Sequence, residues 1–414
     1  MDEHSNNPQH RQMADESMVR NLAHQAEAIW PQESAIFGGY DLGGGLDILD
    51  VGCGTGEITA RLAEFYPKAA LVGVDLIERH LELARDRCAG LDARVAKVPL
   101  DWILRGLAAR GVLEGHAAGG DAMRYRLLGD LPELDPESVR AAQTKHDPSA
   151  LPSYAIAALA AAHYPAVLRG ETTGERVLFG PERIGAWFDY FSNDNVLYAI
   201  SNTIGAIACD ATLKATGGAI LELGGGLGSG AAALFDRLRA KGRASDVHAY
   251  RFTEVSLPFL RRGQKSLAAA FSDVPFSFAL LDMNKPFASA GVQPGAYALV
   301  HGVNTLHVAA DLAFTLGEIR DALAPGGSVV ISECVRPFPG QPVYVEFVFN
   351  LLDAFRDPVL VPGWRPSGGF LTPEEWTAAF EANGFRDVRI VPDIAAIRDV
   401  YPSFVVAAVV AAKA

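Results

Sequence analysis

Short apolar runs, each followed by residues at helical spacing, recur through the second half of this chain. Runs at 219–223, 247–252, 276–281, 296–301 and 328–333 predict buried strands, with helices between them at 229–240 and 309–323. Thr372 with Glu375 three residues later reads as a capping box opening a helix over 372–383. Runs at 386–391 and 403–412 predict two closing strands. Seven strands joined by helical crossovers make a doubly wound α/β sheet.

The first half starts the same pattern and then leaves it. Asp47–Val51 predicts a strand, 57–66 a helix carrying Ile58, Leu62 and Phe65, Ala70–Asp75 a second buried strand, and 78–89 a second helix. That is about half of a doubly wound sheet. Residues 99–127 then read as a helix, a turn at Gly111, a polar glycine-rich loop and a short strand at Met123–Leu127. Residues 135–168 read as helical, and Pro181 suits the first position of another helix because its missing N–H is not needed there. Two helices are expected between Trp187 and Thr216. The division predicted is a disordered tail over 1–20, a partial α/β unit over 21–96, a helical linker domain over 97–180 and a complete α/β domain over 181–414.

Composition narrows the function. Of 414 residues, 49% are hydrophobic and 21% charged, enough for several cores, and the formal net charge of −13 repels a phosphate backbone. No nucleic-acid partner is expected. The first residues carry no apolar signal segment, and the longest apolar stretches, 156–163 and 404–412, are too short to span a bilayer. No membrane partner is expected, and a cytoplasmic location is. Cys53, Cys88, Cys209 and Cys334 form no CxxC pair and suit reduced thiols. No group of His, Cys and carboxylates has metal-ligand spacing, so no metal is expected.

Two glycine loops follow strand-like runs. The first contains Asp50, Gly52, Gly54 and Gly56, with Asp75 ending the next run as its acid partner; the second contains Glu222, Gly224, Gly226 and Gly228. Turning tightly from strand to helix while a cofactor approaches bare backbone needs glycine. Nicotinamide and flavin enzymes use similar loops. An acid ending the second strand of the complete sheet, Glu254, would hold ribose hydroxyls, and Asp282 after the third would meet an adenine amino group. At the open end of the fourth strand stand His301 and His307, and the next strand ends at Glu333. Neighbouring parallel strands bring their ends together, so His307 and Glu333 can meet as a base and its orienting carboxylate.

The spacing E-x-G-x-G-x-G from Glu222 to Gly228, with Leu323-Ala-Pro-Gly-Gly327 before the fifth strand, resembles class I S-adenosylmethionine-dependent methyltransferases. The resemblance implies S-adenosyl-L-methionine as cofactor, with Glu222 compensating its charged amino group. Residues 170–414 resemble the C-methyltransferase domains of polyketide synthases, where a histidine in an Asn-x-Leu-His stretch is the base and a glutamate orients it. Asn304, His307 and Glu333 fill those places, with Asn304 grouped among the cofactor-binding residues. The acceptor implied is a small or carrier-bound β-keto acyl thioester, methylated on its α-carbon, although no acyl-carrier or synthase domain is evident. Family position makes the helices at 184–204 a lid, with Tyr190, Tyr198 and Asn202 in the substrate pocket beside the aromatics Trp187 and Phe191. Residues 343–357 and 361–371, with Trp364 and Arg365, form the opposite wall.

Residues 99–127 resemble the winged-helix module ahead of many small-molecule methyltransferases, which builds dimers and covers substrate; this leaves a homodimer open. Residues 1–96 resemble a truncated second methyltransferase domain, or else a half-sheet that pairs with another subunit or packs on the second sheet. The rival functions are O-methylation of a small molecule, a non-catalytic cofactor-binding regulator using the winged-helix-like region, and a degraded fusion. The regulator finds little support, because 99–113 offers only Arg105 and Arg110 as cations.

Overall fold

The structure is a computed structural model that describes residues 16–38, 47–51, 53–66, 70–74, 83–84, 87–88, 97–119, 122–129, 133–168, 171–356 and 358–414. It divides into two compact units, Met1–Lys97 with Ala166–Glu171, and Val98–Pro165 with Thr172–Ala414.

In the first unit, helix α1 (Glu16–Gly38) is followed by β1 (Asp47–Val51), α2 (Glu57–Phe65) and β2 (Ala70–Val74). Strands β1 and β2 run parallel, with Asp50 opposite Gly73, and among the described residues this sheet has two strands. Helix α1 begins at Glu16, inside the stretch read as a disordered tail. The Tyr66 hydroxyl donates to the Phe37 carbonyl at 2.7 Å, and Trp30 packs edge-on against Phe65, so this helix has tertiary partners a polar composition does not reveal. Of the 78–89 helix, residues 83, 84, 87 and 88 are described, and all are helical.

The second unit begins with α3 (Lys97–Ala109) and a hairpin, β3 (Leu113–Gly119) against β4 (Ala122–Leu127). The polar glycine-rich stretch read as a loop is therefore the first strand of the hairpin. Cross-strand pairing stabilises it where apolar alternation does not: Arg126 Nε donates to Glu114 Oε2 at 3.1 Å. The 135–168 helix is broken into α4 (Pro136–His146) and α5 (Leu151–Leu168). Asp147 ends α4, and its carboxylate caps the next turn by accepting from the Ser149 N–H at 2.9 Å. The helical run Pro148–Leu168 is long and apolar enough, by length and composition alone, to cross a membrane, contrary to the sequence reading. Its Ile156, Ala160 and Tyr164 are buried within the protein, and the Tyr164 hydroxyl bonds the Phe347 carbonyl. Helices α6 (Gly174–Phe179), α7 (Ile184–Tyr190) and α8 (Val196–Thr212) follow. Pro181 opens only a 3-10 turn, Pro181–Arg183, which runs into α7.

The complete sheet then forms: β5 (Gly218–Leu223), α9 (Ser229–Ala240), β6 (Val247–Glu254), α10 (Leu257–Ala270), β7 (Phe276–Leu280), β8 (Tyr297–Val303), α11 (Leu312–Ala322), β9 (Leu323–Cys334), α12 (Glu346–Phe349), α13 (Asp353–Arg356), α14 (Pro373–Ala382), β10 (Phe385–Val391), α15 (Ile394–Ile397) and β11 (Val406–Lys413). Its order is β10-β11-β9-β8-β5-β6-β7, with β11 antiparallel to both neighbours and the other pairs parallel. Each face carries its own core. One joins the sheet to Leu316, Ile319, Trp376 and Phe380 of α11 and α14; the other joins it to Ala206, Leu234, Phe235 and Leu267 of α8, α9 and α10. The capping box of α14 is present on both sides, Thr372 with Glu375. The chain leaves β5 toward β6 and returns on its other side at β8. Open α/β sheets usually form their ligand crevice at such a reversal, here beyond the carboxyl ends of β5 and β8.

Candidate functional site

At the end of β5 the chain turns through Gly224, Gly226 and Gly228, with φ of +59°, +58° and +87°, before α9 starts at Ser229. The turn is fastened to β6: the Gly225 N–H donates to the Thr253 carbonyl at 2.8 Å and the Gly226 N–H to Glu254 Oε2 at 3.0 Å. A Cβ on Gly224 would lie 2.3 Å from Thr305 Oγ1, so side-chain crowding as well as backbone conformation demands glycine there. A Cβ on Gly226 would meet nothing within 4 Å, so at this point the loop presents bare backbone to open space.

Glu222 lies beneath this turn, 1% exposed, with the buried Tyr250 hydroxyl of β6 beside its carboxyl. Burial, reinforced by the nearby Glu254 carboxylate, pushes its pKa up to about 8. A buried carboxyl next to an open backbone cradle fits a ligand that brings a cation, as the ammonium of S-adenosylmethionine would. Glu254 is buried too, with Oε1 accepting from the Ser256 N–H at 2.9 Å. Asp282, half-buried after β7, accepts from the Asn284 N–H at 3.0 Å and pairs with Lys285 at 3.1 Å. Glu222, Glu254 and Asp282 thus end or follow β5, β6 and β7, three adjacent strands on the same side of the crevice.

The buried Glu222 has a consequence for stability. Its folded pKa stands above the unfolded value of 4.5, so the folded protein holds the proton more tightly and loses stability as pH rises from about 5 to 8. Burial raises Glu254 as well, in the same direction. The melting temperature of cofactor-free protein is therefore expected to fall across that window. In Glu222→Gln the fall should be shallower, and at pH 8 the variant should melt above wild type; a parallel slope in the two proteins would contradict this.

On the other side of the crevice, His307 and Glu333 meet. His307 sits in the 3-10 turn after β8, and Glu333 at the end of β9; His307 Nδ1 lies 2.7 Å from Glu333 Oε2. Glu333 is fully buried, and its Oε1 accepts the backbone N–H groups of Thr305, at 3.0 Å, and Leu306, at 2.7 Å. One carboxylate thus orients the imidazole and holds the turn that carries it. The ring is flanked by Phe370 at 4.6 Å and Phe355 at 5.7 Å, and Nε2 has no hydrogen-bond partner among the described residues. Asn304 enters the turn with a φ of +48°, and its Oδ1 accepts from the Cys334 N–H at 3.0 Å, tying the turn to the end of β9.

Sequence reasoning missed how Arg365 is used. It is fully buried and donates to the His307 carbonyl at 2.6 Å; burial lowers its pKa to about 10, so it stays charged at neutral pH. A second missed group ties the wall to the helix–hairpin module. Glu346 accepts from Trp102 Nε1 of α3 at 2.8 Å and pairs with Arg336 at 2.5 Å. Only a Trp and a buried carboxylate far apart in sequence signal it.

The remaining pocket candidates separate. Tyr190 and Tyr198 belong to an aromatic cluster with Trp187, Phe191 and Phe349, and burial pushes both phenols up. Trp364 packs against the core on the α11 and α14 face. Asn202 lies beside Glu222: a Cβ on Gly230 would meet Glu222 Oε1 at 3.2 Å and Asn202 Oδ1 at 3.6 Å. His301 is fully buried against Cys209, and burial lowers it to about 4, leaving it neutral.

In the first unit, Asp50 Oδ2 accepts from Thr59 Oγ1 at 2.6 Å, and Gly54 and Gly56 take positive φ. A Cβ on Gly56 would meet Ala84 at 3.0 Å, and Arg87 pairs with Glu57 at 2.8 Å. Gly52 and Asp75 lie outside the described residues.

Comparison with known proteins joins these observations. Residues 48–102 match the family described as "Methyltransferase domain". Polyketide synthase ThaG of Burkholderia thailandensis is 28% identical over 335 residues, 78% of this chain and 5% of that protein. Polyketide synthase PksM of Bacillus subtilis is 29% identical over 174 residues, 41% of this chain and 4% of that protein. The chain thus spans about a twentieth of the length of these relatives. The crystal structure of the CurJ carbon methyltransferase superposes with a TM-score of 0.62 at 21% identity, covering 81% of this chain and 84% of that one. The DszA carbon methyltransferase gives 0.60 at 21%, covering 80% and 81%. The fold is that of these methyltransferases.

Proposed function

Starting from a chain with the methyltransferase fold, we propose that it transfers a methyl group from S-adenosylmethionine to the α-carbon of a β-keto acyl thioester, small or carrier-bound. His307 is the base and Glu333 its orienting partner. The observation that carries this reading is the 2.7 Å contact between His307 Nδ1 and Glu333 Oε2, which leaves Nε2 unpaired beside the crevice. Support for the cofactor comes from the bare turn at Gly226 above the buried Glu222 carboxyl. Support for the acceptor comes from the polyketide synthases among the relatives and the carbon methyltransferases among the similar structures.

The cofactor supplies an electrophilic methyl group on a sulfonium. The protein supplies the base that makes the acceptor's α-carbon nucleophilic. With Glu333 holding Nδ1–H, Nε2 carries the lone pair and takes the proton from the carbon between the two carbonyls. The electron pair left on that carbon would take the methyl group in a new C–CH₃ bond, and a sulfonium is a leaving group that would keep the electrons of the bond broken. Glu333 stabilises the imidazolium that results, and Phe355 and Phe370 keep water from the ring. Glu222 would take the cofactor's ammonium, Glu254 its ribose hydroxyls and Asp282 its adenine amino group, while Asn304 holds the turn that presents His307. The 224–228 loop is the working site, because it stands on a complete seven-stranded sheet. The first unit, with its loop at 50–56 and two described strands, is a methyltransferase-like fragment.

Product analysis with methyl-labelled S-adenosylmethionine and a β-keto acyl thioester tests the reading. Label on the α-carbon is expected; label on oxygen would defeat it.

A further inference from the structure

Cations on the outer helices of the complete sheet are treated in two ways. On α9 and just after it each has a carboxylate: Arg237, Lys241 and Arg243 converge on Asp210, and Arg239 pairs with Asp273. Helix α10 carries Arg261, Arg262 and Lys265 and no acid. All three are exposed, and among the described residues none of them makes an ion pair. Arg261 and Lys265 stand four residues apart, one turn above the other, where like charges repel and weaken a helix. Arg262 lies over the Phe188 ring of α7, 5.5 Å from its centre. Just ahead of the cations Val255 and Leu257 are exposed as well. The face therefore runs from apolar to cationic, on a chain whose formal net charge is −13.

Its position gives this face a use. The carboxylate of Glu254 accepts from the Ser256 N–H at the head of α10, so the first turn of the helix stands at the carboxyl end of β6, on the side of the sheet where the crevice forms. Along the axis Arg261 and Lys265 lie about 6 and 12 Å beyond Leu257. Phe259 packs edge-on against Phe188 and Phe191, at 5.8 and 6.1 Å, which joins α10 to the covering helix α7. Unpaired cations beside a crevice attract and orient a partner whose surface is negative, and the rest of this acidic chain repels that partner elsewhere. A small acyl thioester has no extended negative surface to place there. We propose that Val255, Leu257, Arg261, Arg262 and Lys265 form a docking surface for an acidic carrier domain, which presents the β-keto acyl thioester to the crevice on a flexible arm. The cations guide the carrier in, and Val255 and Leu257 supply apolar contact nearest the crevice. This inference rests on the proposed methyl transfer and decides between the two forms of acceptor left open there.

Methylation kinetics on the full chain test this with one β-keto acyl group on three handles: an acidic acyl carrier domain, N-acetylcysteamine and coenzyme A. The variant is the double charge reversal Arg261→Glu with Lys265→Glu, at two exposed positions outside the proposed catalytic and cofactor residues. With the carrier-bound acceptor its KM should rise by about tenfold or more, as like charges set face to face repel, and kcat should hold. With the N-acetylcysteamine thioester neither constant should change. In wild type, added salt should raise the KM of the carrier-bound acceptor and leave that of the N-acetylcysteamine thioester alone. The salt series needs no variant, so it decides even if the double variant fails to fold. An unchanged KM for the carrier-bound acceptor, in the variant or across the salt series, would overturn the docking surface. An equal rise for the coenzyme A thioester would overturn it too, in favour of a phosphate site. Methylation of the N-acetylcysteamine thioester without methylation of the carrier-bound one would remove the carrier alone, whereas methylation of none of the three would remove the proposed function with it.

Discussion

Replacing His307 by glutamine is expected to lower turnover by roughly 10²- to 10⁴-fold, the range a lost general base produces, while S-adenosylhomocysteine still binds. Glutamine keeps much of the ring's volume between Phe355 and Phe370, and the Arg365 bond goes to the backbone carbonyl, which the substitution retains. What disappears is an imidazole lone pair aimed away from Glu333. Single-turnover methylation of a β-keto acyl thioester, with cofactor binding measured in parallel, separates chemistry from binding. Unchanged turnover would end the role of His307 as base. Loss of binding together with turnover would reassign it to shaping the site.

Glu333 is expected to show two separable effects. Glu333→Gln keeps an oxygen for the Thr305 and Leu306 N–H groups but can present an amide donor to Nδ1. The proton then belongs on Nε2, the wrong nitrogen for a base, and turnover should fall by roughly 10²- to 10⁴-fold with little change in melting temperature. Glu333→Ala removes the acceptor from those buried N–H groups as well, and each orphaned donor costs about 1–3 kcal/mol. That variant should be inactive and visibly destabilised. Thermal unfolding beside activity checks the pair: equal melting temperatures for the two variants would mean that Glu333 does not hold the turn.

The complete sheet was legible because its strands are short apolar runs between helical spacings, a pattern that burial on both faces enforces. The His307–Glu333 pair was legible for a topological reason: β8 and β9 are parallel neighbours, so residues just past their ends meet. Asn202 was legible only as part of a covering helix. Its place beside Glu222 depends on how α8 packs against α9 and across β8, β9 and β11, which helical periodicity does not encode. The same holds for Arg365, whose value lies in a backbone carbonyl 58 residues away in sequence, and for Glu346, tied to Trp102 across 244. Strand β3 escaped notice because its residues are polar and glycine-rich; pairing with β4 overrides their weak strand preference.

The central claim is that the turn after Leu223 holds the cofactor. Calorimetric titration of the purified chain with S-adenosylhomocysteine, in wild type and Gly226→Ala, tests it most directly. A Cβ at residue 226 meets no protein atom within 4 Å and costs about 1–2 kcal/mol for its left-handed backbone, so the fold should survive while the cradle is obstructed. One equivalent bound by wild type and sharply weakened by Gly226→Ala is the predicted result. Undiminished binding by a folded Gly226→Ala variant would contradict it.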